Sequence, residues 1–200
     1  MTNQSIGVML NAMSDKRKQL IEASIDLFAR EGFWNTPTSR ITKHAKVSTG
    51  TLFNYFASKN ALIDAVFLQL KEEQAAYIAD NFPPQTAVQT CFEHIWFRYI
   101  EWGLHNPVRY TLLQQLKLSN MVSDEAQARQ DGSLGFAFDL VAAAVNAGVF
   151  RSISADYLIY IALAQLDASV TYAATHKLTD MALSKHITRG FEVFWLGVTG

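Results

Sequence analysis

From Thr38 to Lys59 the chain reads T-S-R-I-T-K-H-A-K-V-S-T-G-T-L-F-N-Y-F-A-S-K. This stretch constrains the fold more than any other. It reads as two short helices joined by a tight turn, then the start of a third. Thr36-Pro37-Thr38 opens the first of these, because proline is tolerated in a first helical turn. Ile41 and Ala45 form its inner face, and Val47 plugs the turn. Ser48 caps the next helix, in which Leu52 and Phe56 point inward, and Ser58 caps the one after. Upstream, Ser14 is a good N-cap and Asp15 suits the positive end of a helix. Leu20, Ile21, Ile25, Leu27 and Phe28 recur at helical spacing through Arg30, and Gly32 supplies a stop. Three short helices with small apolar contacts and a tight turn make a helix-turn-helix unit.

Such a unit is suited to DNA because a helix is the right width for the major groove. A helix N-terminus also offers free N–H groups and a positive dipole to phosphates. Thr38 and Ser48 sit at two such termini. Tyr55 and Lys59 fall where a hydroxyl and an ammonium can reach the backbone. Arg40 and Lys43 lie on the outer face of the second helix, and Thr49, Gly50, Thr51 and Asn54 line that of the third. Phe53 reads as a packed side chain rather than one stacked on a sugar. The plain alternatives are caps for Thr38, Ser48 and Ser58 and solvated charges for Arg40 and Lys59. The third helix carries no Arg or Gln, so base reading falls to Asn54 with adenine and Arg40 with guanine. The remaining specificity then rests on DNA shape and phosphate placement.

Charge supports a polyanion at one end. Residues 14–60 hold eight Lys/Arg against four Asp/Glu, whereas 61–200 hold nine against fourteen. A basic head on an acidic body is the electrostatic footprint of one-sided nucleic-acid binding.

The rest of the chain reads as all-α. With 50% hydrophobic residues, it can bury a sizeable core. Residues 1–13 are expected to be a mobile tail, 14–60 the DNA-binding head and 61–200 a helical body, with about nine helices in all. A helix from Ser58 runs toward Asn81 and stops at Pro83-Pro84. The next carries Cys91, Phe92, Ile95, Trp96, Tyr99 and Trp102, and Asn106-Pro107 breaks it. A shorter one spans Tyr110–Leu118. The polar stretch Ser119–Ser133 contains a turn and the start of another helix, and Phe136–Phe150 is apolar, with Gly148 marking its end. Ala155–Thr175 and Asp180–Leu196 make two long final helices. No apolar run reaches the roughly 18 residues of a membrane span, and the first residues lack a signal-peptide pattern. The single cysteine, Cys91, excludes an intramolecular disulfide and fits a reducing, cytoplasmic setting.

The run E-G-F-W-N-T-P-T followed by I-T-K-H-A-K-V-S-T-G-T-L-F-N-Y-F-A-S-K-N-A-L resembles the TetR/AcrR pattern of bacterial one-component regulators over residues 15–65. The resemblance implies that Ser48–Tyr55 is the recognition helix. It implies that Thr38, Phe53, Tyr55 and Lys59 touch the sugar-phosphate backbone. Ser39, Arg40, Thr49, Gly50, Thr51 and Asn54 match positions near bases or adjacent phosphates. Two positions depart from the pattern: Lys46 stands where glycine is usual, and Phe53 replaces the commoner tyrosine. A lysine in a left-handed turn carries a penalty of about 1–2 kcal/mol relative to glycine, which a phosphate contact can offset.

The body is rich in aromatic side chains: Phe67, Phe92, Trp96, Phe97, Tyr99, Trp102, Tyr110, Phe136 and Phe138. By themselves these read first as a packed aromatic core. The family resemblance favours a ligand cavity instead, lined by Phe67, Phe92, Trp96, Tyr99, Trp102, Tyr110 and Phe138. The stretch W-F-R-Y-I-E-W-G-L-H-N-P-V-R-Y resembles the multidrug- and bile-acid-sensing members, which implies a bulky apolar, aromatic or cationic amphipathic inducer. Asp167 shares a face with Leu163, Leu166 and Val170, as either a pocket acid or a satisfied interface carboxylate. The small residues Ala155, Ala162, Ala168, Ala173 and Gly197 lie beside Phe191, Phe194 and Trp195. By the resemblance, these two last helices form a homodimer interface, so that two heads meet a palindromic double-stranded operator. The plain alternative is that they close the monomer core.

An enzyme is not expected. Cys91 and His94 lie three apart on a helix, but no further ligands follow at metal spacing. There is no G-x-S-x-G, no phosphate-binding glycine loop and no paired-histidine motif. No metal and no cofactor are expected. A ligand-released repressor and a constitutive DNA-binding protein remain as the two functional readings.

Overall fold

The computed structural model describes residues 3–83 and 87–199, the side chains of 3–14 and 130–133 aside. Among these residues the chain is all-α, with ten helices and no strand. Backbone contacts divide it into two compact units, Met1–Lys71 with Thr111–Arg129 and Glu72–Tyr110 with Gln130–Gly200.

The first unit opens with α1 (Asn3–Glu31), which begins at Asn3 rather than at the Ser14 cap the sequence suggests. Gly32, at φ 80°, ends it, and the Gly32 N–H donates to the Phe28 carbonyl at 2.9 Å. Leu20, Ile21, Ile25, Leu27 and Phe28 are all buried, as their spacing requires. α2 (Thr38–His44) and α3 (Thr49–Tyr55) follow and pack on α1 through Ile41 and Leu52, both fully buried. Ser58 caps α4 (Lys59–Ala79) by accepting the Ala61 N–H at 3.1 Å. Later in the chain, Asp64 on α4 accepts both the Ser123 N–H and its hydroxyl, at 2.9 and 2.8 Å. That hydroxyl accepts the Ala126 N–H at 3.2 Å and so caps α7 (Asp124–Ser133).

The second unit takes in the end of α4. Its Pro83-Pro84 stop falls partly outside the described residues, at Pro84. α5 (Val88–His105) closes off the last α4 carbonyls: Arg98 Nε donates to Tyr77 O at 3.0 Å and His94 Nε2 to Ile78 O at 2.9 Å. These bonds satisfy acceptors that a helix end otherwise leaves open. The Arg98 guanidinium also lies 3.8 Å over the Tyr77 ring, a cation–π arrangement. α6 (Pro107–Leu118) begins at Pro107 instead of Tyr110, because proline fits a first turn.

Leu134 separates α7 from α8 (Gly135–Asn146), so the polar and apolar stretches expected to share one helix form two; this raises the count from nine to ten. α9 (Ala155–Thr175) and α10 (Asp180–Val198) pack on each other and on α5. Gly103 permits close approach within this unit: a Cβ there would stand 2.9 Å from Val170 Cγ1 and 3.1 Å from Tyr110 Cδ2. α9 is long and apolar enough to cross a membrane by length and composition, although Asp156, Gln165 and Asp167 keep it from being an unbroken apolar run.

Candidate nucleic-acid interface

The turn between α2 and α3 is a Schellman motif. Val47 N–H donates to Thr42 O at 3.0 Å and Lys46 N–H to Lys43 O at 3.3 Å. This pattern places the residue after the C-cap in the left-handed region, and Lys46 has φ 54° there. α8 and α9 end in the same pattern, with Gly148 at φ 71° and Lys177 at φ 50°. Position 46 therefore holds a strained lysine where the turn favours glycine, with its side chain exposed at the mouth of the turn.

Ser48 fixes the start of α3. Its Oγ accepts the Thr51 N–H at 3.1 Å and lies 2.8 Å from the Thr51 hydroxyl. Both hydroxyls remain at the surface beside the exposed N-terminus of α3, where the remaining N–H groups and the dipole favour an anion. Thr49, Gly50 and Asn54 are exposed on the same helix, and Thr51 and Tyr55 are half-buried. Phe53 is 47% exposed, which corrects the expectation of a packed ring: position 53 falls on the outer face, between the inward Leu52 and Phe56.

Thr38 opens α2 and is half-buried, while Ser39 and Arg40 are exposed. Arg40 pairs with Glu31 at 2.7 Å, with 60% of its side chain in solvent. The pair holds the guanidinium near the surface, and an exposed ion pair of this kind is worth little, so a phosphate can displace the carboxylate. Lys59 Nζ donates to the Trp34 carbonyl at 3.3 Å. Desolvation by burial lowers its ammonium below the ordinary lysine pKa. Trp34 itself is 62% exposed and tilted against Phe33 at 5.0 Å. Its sequence signal is an indole in a turn opened by Gly32, where no apolar periodicity explains it.

The residues singled out in the body separate into groups. Phe67 is buried in the first unit. In the second unit, Tyr99 and Tyr110 both donate to Asp167 Oδ1, at 2.6 and 2.8 Å. Hydrogen bonds to a carboxylate this short are charge-assisted. Trp102 meets Tyr110 edge to face at 6.5 Å. Asp167 thus ties α9 to α5 and α6 within one chain.

Trp96 and Phe92 face elsewhere. Trp96 stacks on Phe194 at 5.2 Å, and Phe92 meets Phe150 and Trp195 at 5.3 and 5.6 Å. Phe138 is half-buried on α8. His94 spends Nε2 on the Ile78 carbonyl and packs edge-on to Phe82 at 5.3 Å. Among the described residues no group of three His, Cys, Asp or Glu is placed to hold a metal.

A basic head with an exposed second helix, capped at its N-terminus and braced by a Schellman turn, defines a helix-turn-helix DNA-binding protein of the transcription-regulator class. Residues 20–66 match the family of bacterial regulatory proteins called the tetR family. The chain accordingly carries a TetR-family DNA-binding domain on a TetR-like all-α fold.

Among curated proteins, it is similar to the HTH-type transcriptional regulator BetI of Escherichia coli O17:K52:H18 (strain UMN026 / ExPEC). The two are 28% identical over a match covering 58% of this chain and 70% of that protein. Among solved structures, a tetR-family transcription regulator from Shewanella sp. PV-4 superposes with a TM-score of 0.85 at 26% identity. That match covers 92% of this chain and 98% of the other. A TetR-family regulator from Marinobacter aquaeolei VT8 shares the fold, with a TM-score of 0.81 at 21% identity over 93% and 96% of the two chains.

Proposed function

We propose that the protein is a cytoplasmic, dimeric repressor. It holds a palindromic operator and is released by a bulky apolar or amphipathic small molecule. The observation that carries the DNA-binding half is the exposed face of α3, with Ser48, Thr49, Gly50, Phe53 and Asn54 presented beside Arg40 and the free end of Lys46. Ser48, Thr51 and the N-terminal amides of α3 take phosphate, Asn54 and Arg40 meet base edges, and Thr38, Tyr55 and Lys59 hold the flanking backbone.

Support for a dimer comes from α9 and α10. In the single chain they leave Tyr157, Tyr160, Tyr172, Met181, Val193 and Leu196 in water. Apolar surface of that extent on two adjacent helices is a mark of an interface, and a two-fold pair presents two heads to two half-sites. The released state requires that the inducer bind one conformation of the dimer better than the other; otherwise it shifts nothing.

A second reading has its own support. Trp96 with Phe191 and Phe194, and Phe92 with Phe150 and Trp195, fill space with one another, as in a constitutive DNA-binding protein without an inducer. The deciding experiment is binding of the purified protein to the DNA upstream of its own gene, titrated with bile acids and cationic dyes. Release by one class supports the sensor. Tight binding that nothing disturbs supports the constitutive reading, and failure to bind at low salt removes both.

A further inference from the structure

Gln74 is fully buried on α4, and among the described residues neither its amide nitrogen nor its amide oxygen has a hydrogen-bond partner. A buried carboxamide left open at both ends is costly, and native folds rarely leave such a group without a use. Helical spacing along α4 puts Gln74 in the buried stripe with Leu70 and Ile78, one turn beyond the buried Lys71.

Bonds on either side of it tie this part of α4 to α5 and α6. Ile78 O is tied to His94 on α5, and Glu73 is paired with Arg109 on α6 at 3.2 Å. In the same unit Tyr99 and Trp102 on α5 and Tyr110 on α6 are buried, all at most 8% exposed. Both phenols already donate to Asp167, so the carboxylate is answered by the protein and the carboxamide is not.

We infer that Gln74 is the specificity-determining residue of a ligand site in the second unit, recognising a neutral group that both donates and accepts a hydrogen bond, of the carboxamide kind, on an aromatic ligand. This rests on the sensor reading and adds the chemical class of the inducer. A carboxamide is the complement of a carboxamide: one N–H···O bond forms in each direction, and both open ends of Gln74 close together. The rings of Tyr99, Trp102 and Tyr110 supply the aromatic wall.

The test uses the full-length protein and two probes of matched shape, 2-naphthamide and 2-isopropylnaphthalene. Wild type is compared with Gln74→Met and Gln74→Leu by calorimetry and thermal melting. The expected result is that wild type prefers the amide by about tenfold or more, that both variants lose this preference, and that both melt about 2–4 °C higher without ligand because the open amide is gone.

The inference is overturned if the variants keep the preference, if wild type shows none or binds neither probe, or if both variants melt lower than wild type. The last outcome would mean that the amide is satisfied within the fold. Gln74→Met keeps the side-chain length, so a folding failure confined to Gln74→Leu leaves the comparison intact. The sensor reading fails separately, when no compound of any class releases the protein from its DNA.

Discussion

Replacing Lys46 with glycine is expected to stabilise the protein and weaken its hold on DNA in the same step. Lys46 sits at φ 54° in the Schellman turn that joins α2 to α3. A side chain with a Cβ in that region costs about 1–2 kcal/mol, and the extra freedom glycine brings to the unfolded chain returns about 0.5–1 kcal/mol of that. The net gain is about 0.5–1 kcal/mol, or about 1–4 °C in melting temperature for a chain of this size. Lys46→Ala separates the two roles, since it removes the ammonium and keeps the Cβ. Glycine at 46 should therefore melt above alanine at 46.

The two variants should behave alike toward DNA. Each loses one phosphate contact per protomer, so the slope of log K against log salt falls in magnitude by about 0.9 per protomer. Thermal melting followed by circular dichroism reads the first quantity, and fluorescence anisotropy of labelled operator at several salt concentrations reads the second. Glycine and alanine variants of equal stability would refute the strain argument. An unchanged salt slope would show that Lys46 does not reach a phosphate.

Other substitutions test the remaining geometry. Ser48→Ala removes the cap on the Thr51 N–H and should cost about 1 kcal/mol in urea unfolding; a neutral result would show that Thr51 caps α3 as well as Ser48 does. Tyr99→Phe and Tyr110→Phe each remove a donor from Asp167 Oδ1, at about 1.5–3 kcal/mol apiece. Because both phenols serve one oxygen, the double variant should be non-additive by at least about 0.5 kcal/mol, and simple additivity in denaturant titrations would contradict the shared-acceptor geometry. Gly103→Ala places a Cβ 2.9 Å from Val170 Cγ1. It should cost about 1–3 kcal/mol by overpacking, against a helix-propensity gain of about 1 kcal/mol; a melting temperature above wild type would show that Val170 and Tyr110 yield readily.

The sequence by itself determined the local chemistry of the head. Caps at Ser48 and Ser58, the Gly32 stop, the inward Ile41, Leu52 and Phe56 and the strained turn at Lys46 are each decided by residues within about one helical turn of one another, which is the range over which capping and spacing act. The break at Asn106-Pro107 and the bounds of α9 were legible for the same reason. Phe53 was misjudged because an aromatic residue suggests burial, whereas its position on α3 sends it outward. α1 outran its Ser14 cap because a good cap residue does not forbid a helix from continuing through it.

What the tertiary structure alone decided is which distant groups meet. Tyr99 and Tyr110 find the same oxygen of Asp167, more than fifty residues along the chain. Arg98 and His94 close the end of α4, and Trp96 turns to α10 and not toward Asp167. Gln74 is the sharpest case. In sequence it is one polar residue on an apolar stripe, indistinguishable from a surface glutamine. Only burial on all sides, with no donor or acceptor brought to it among the described residues, turns it into a group in need of a partner, and burial is a property of the packed helices together.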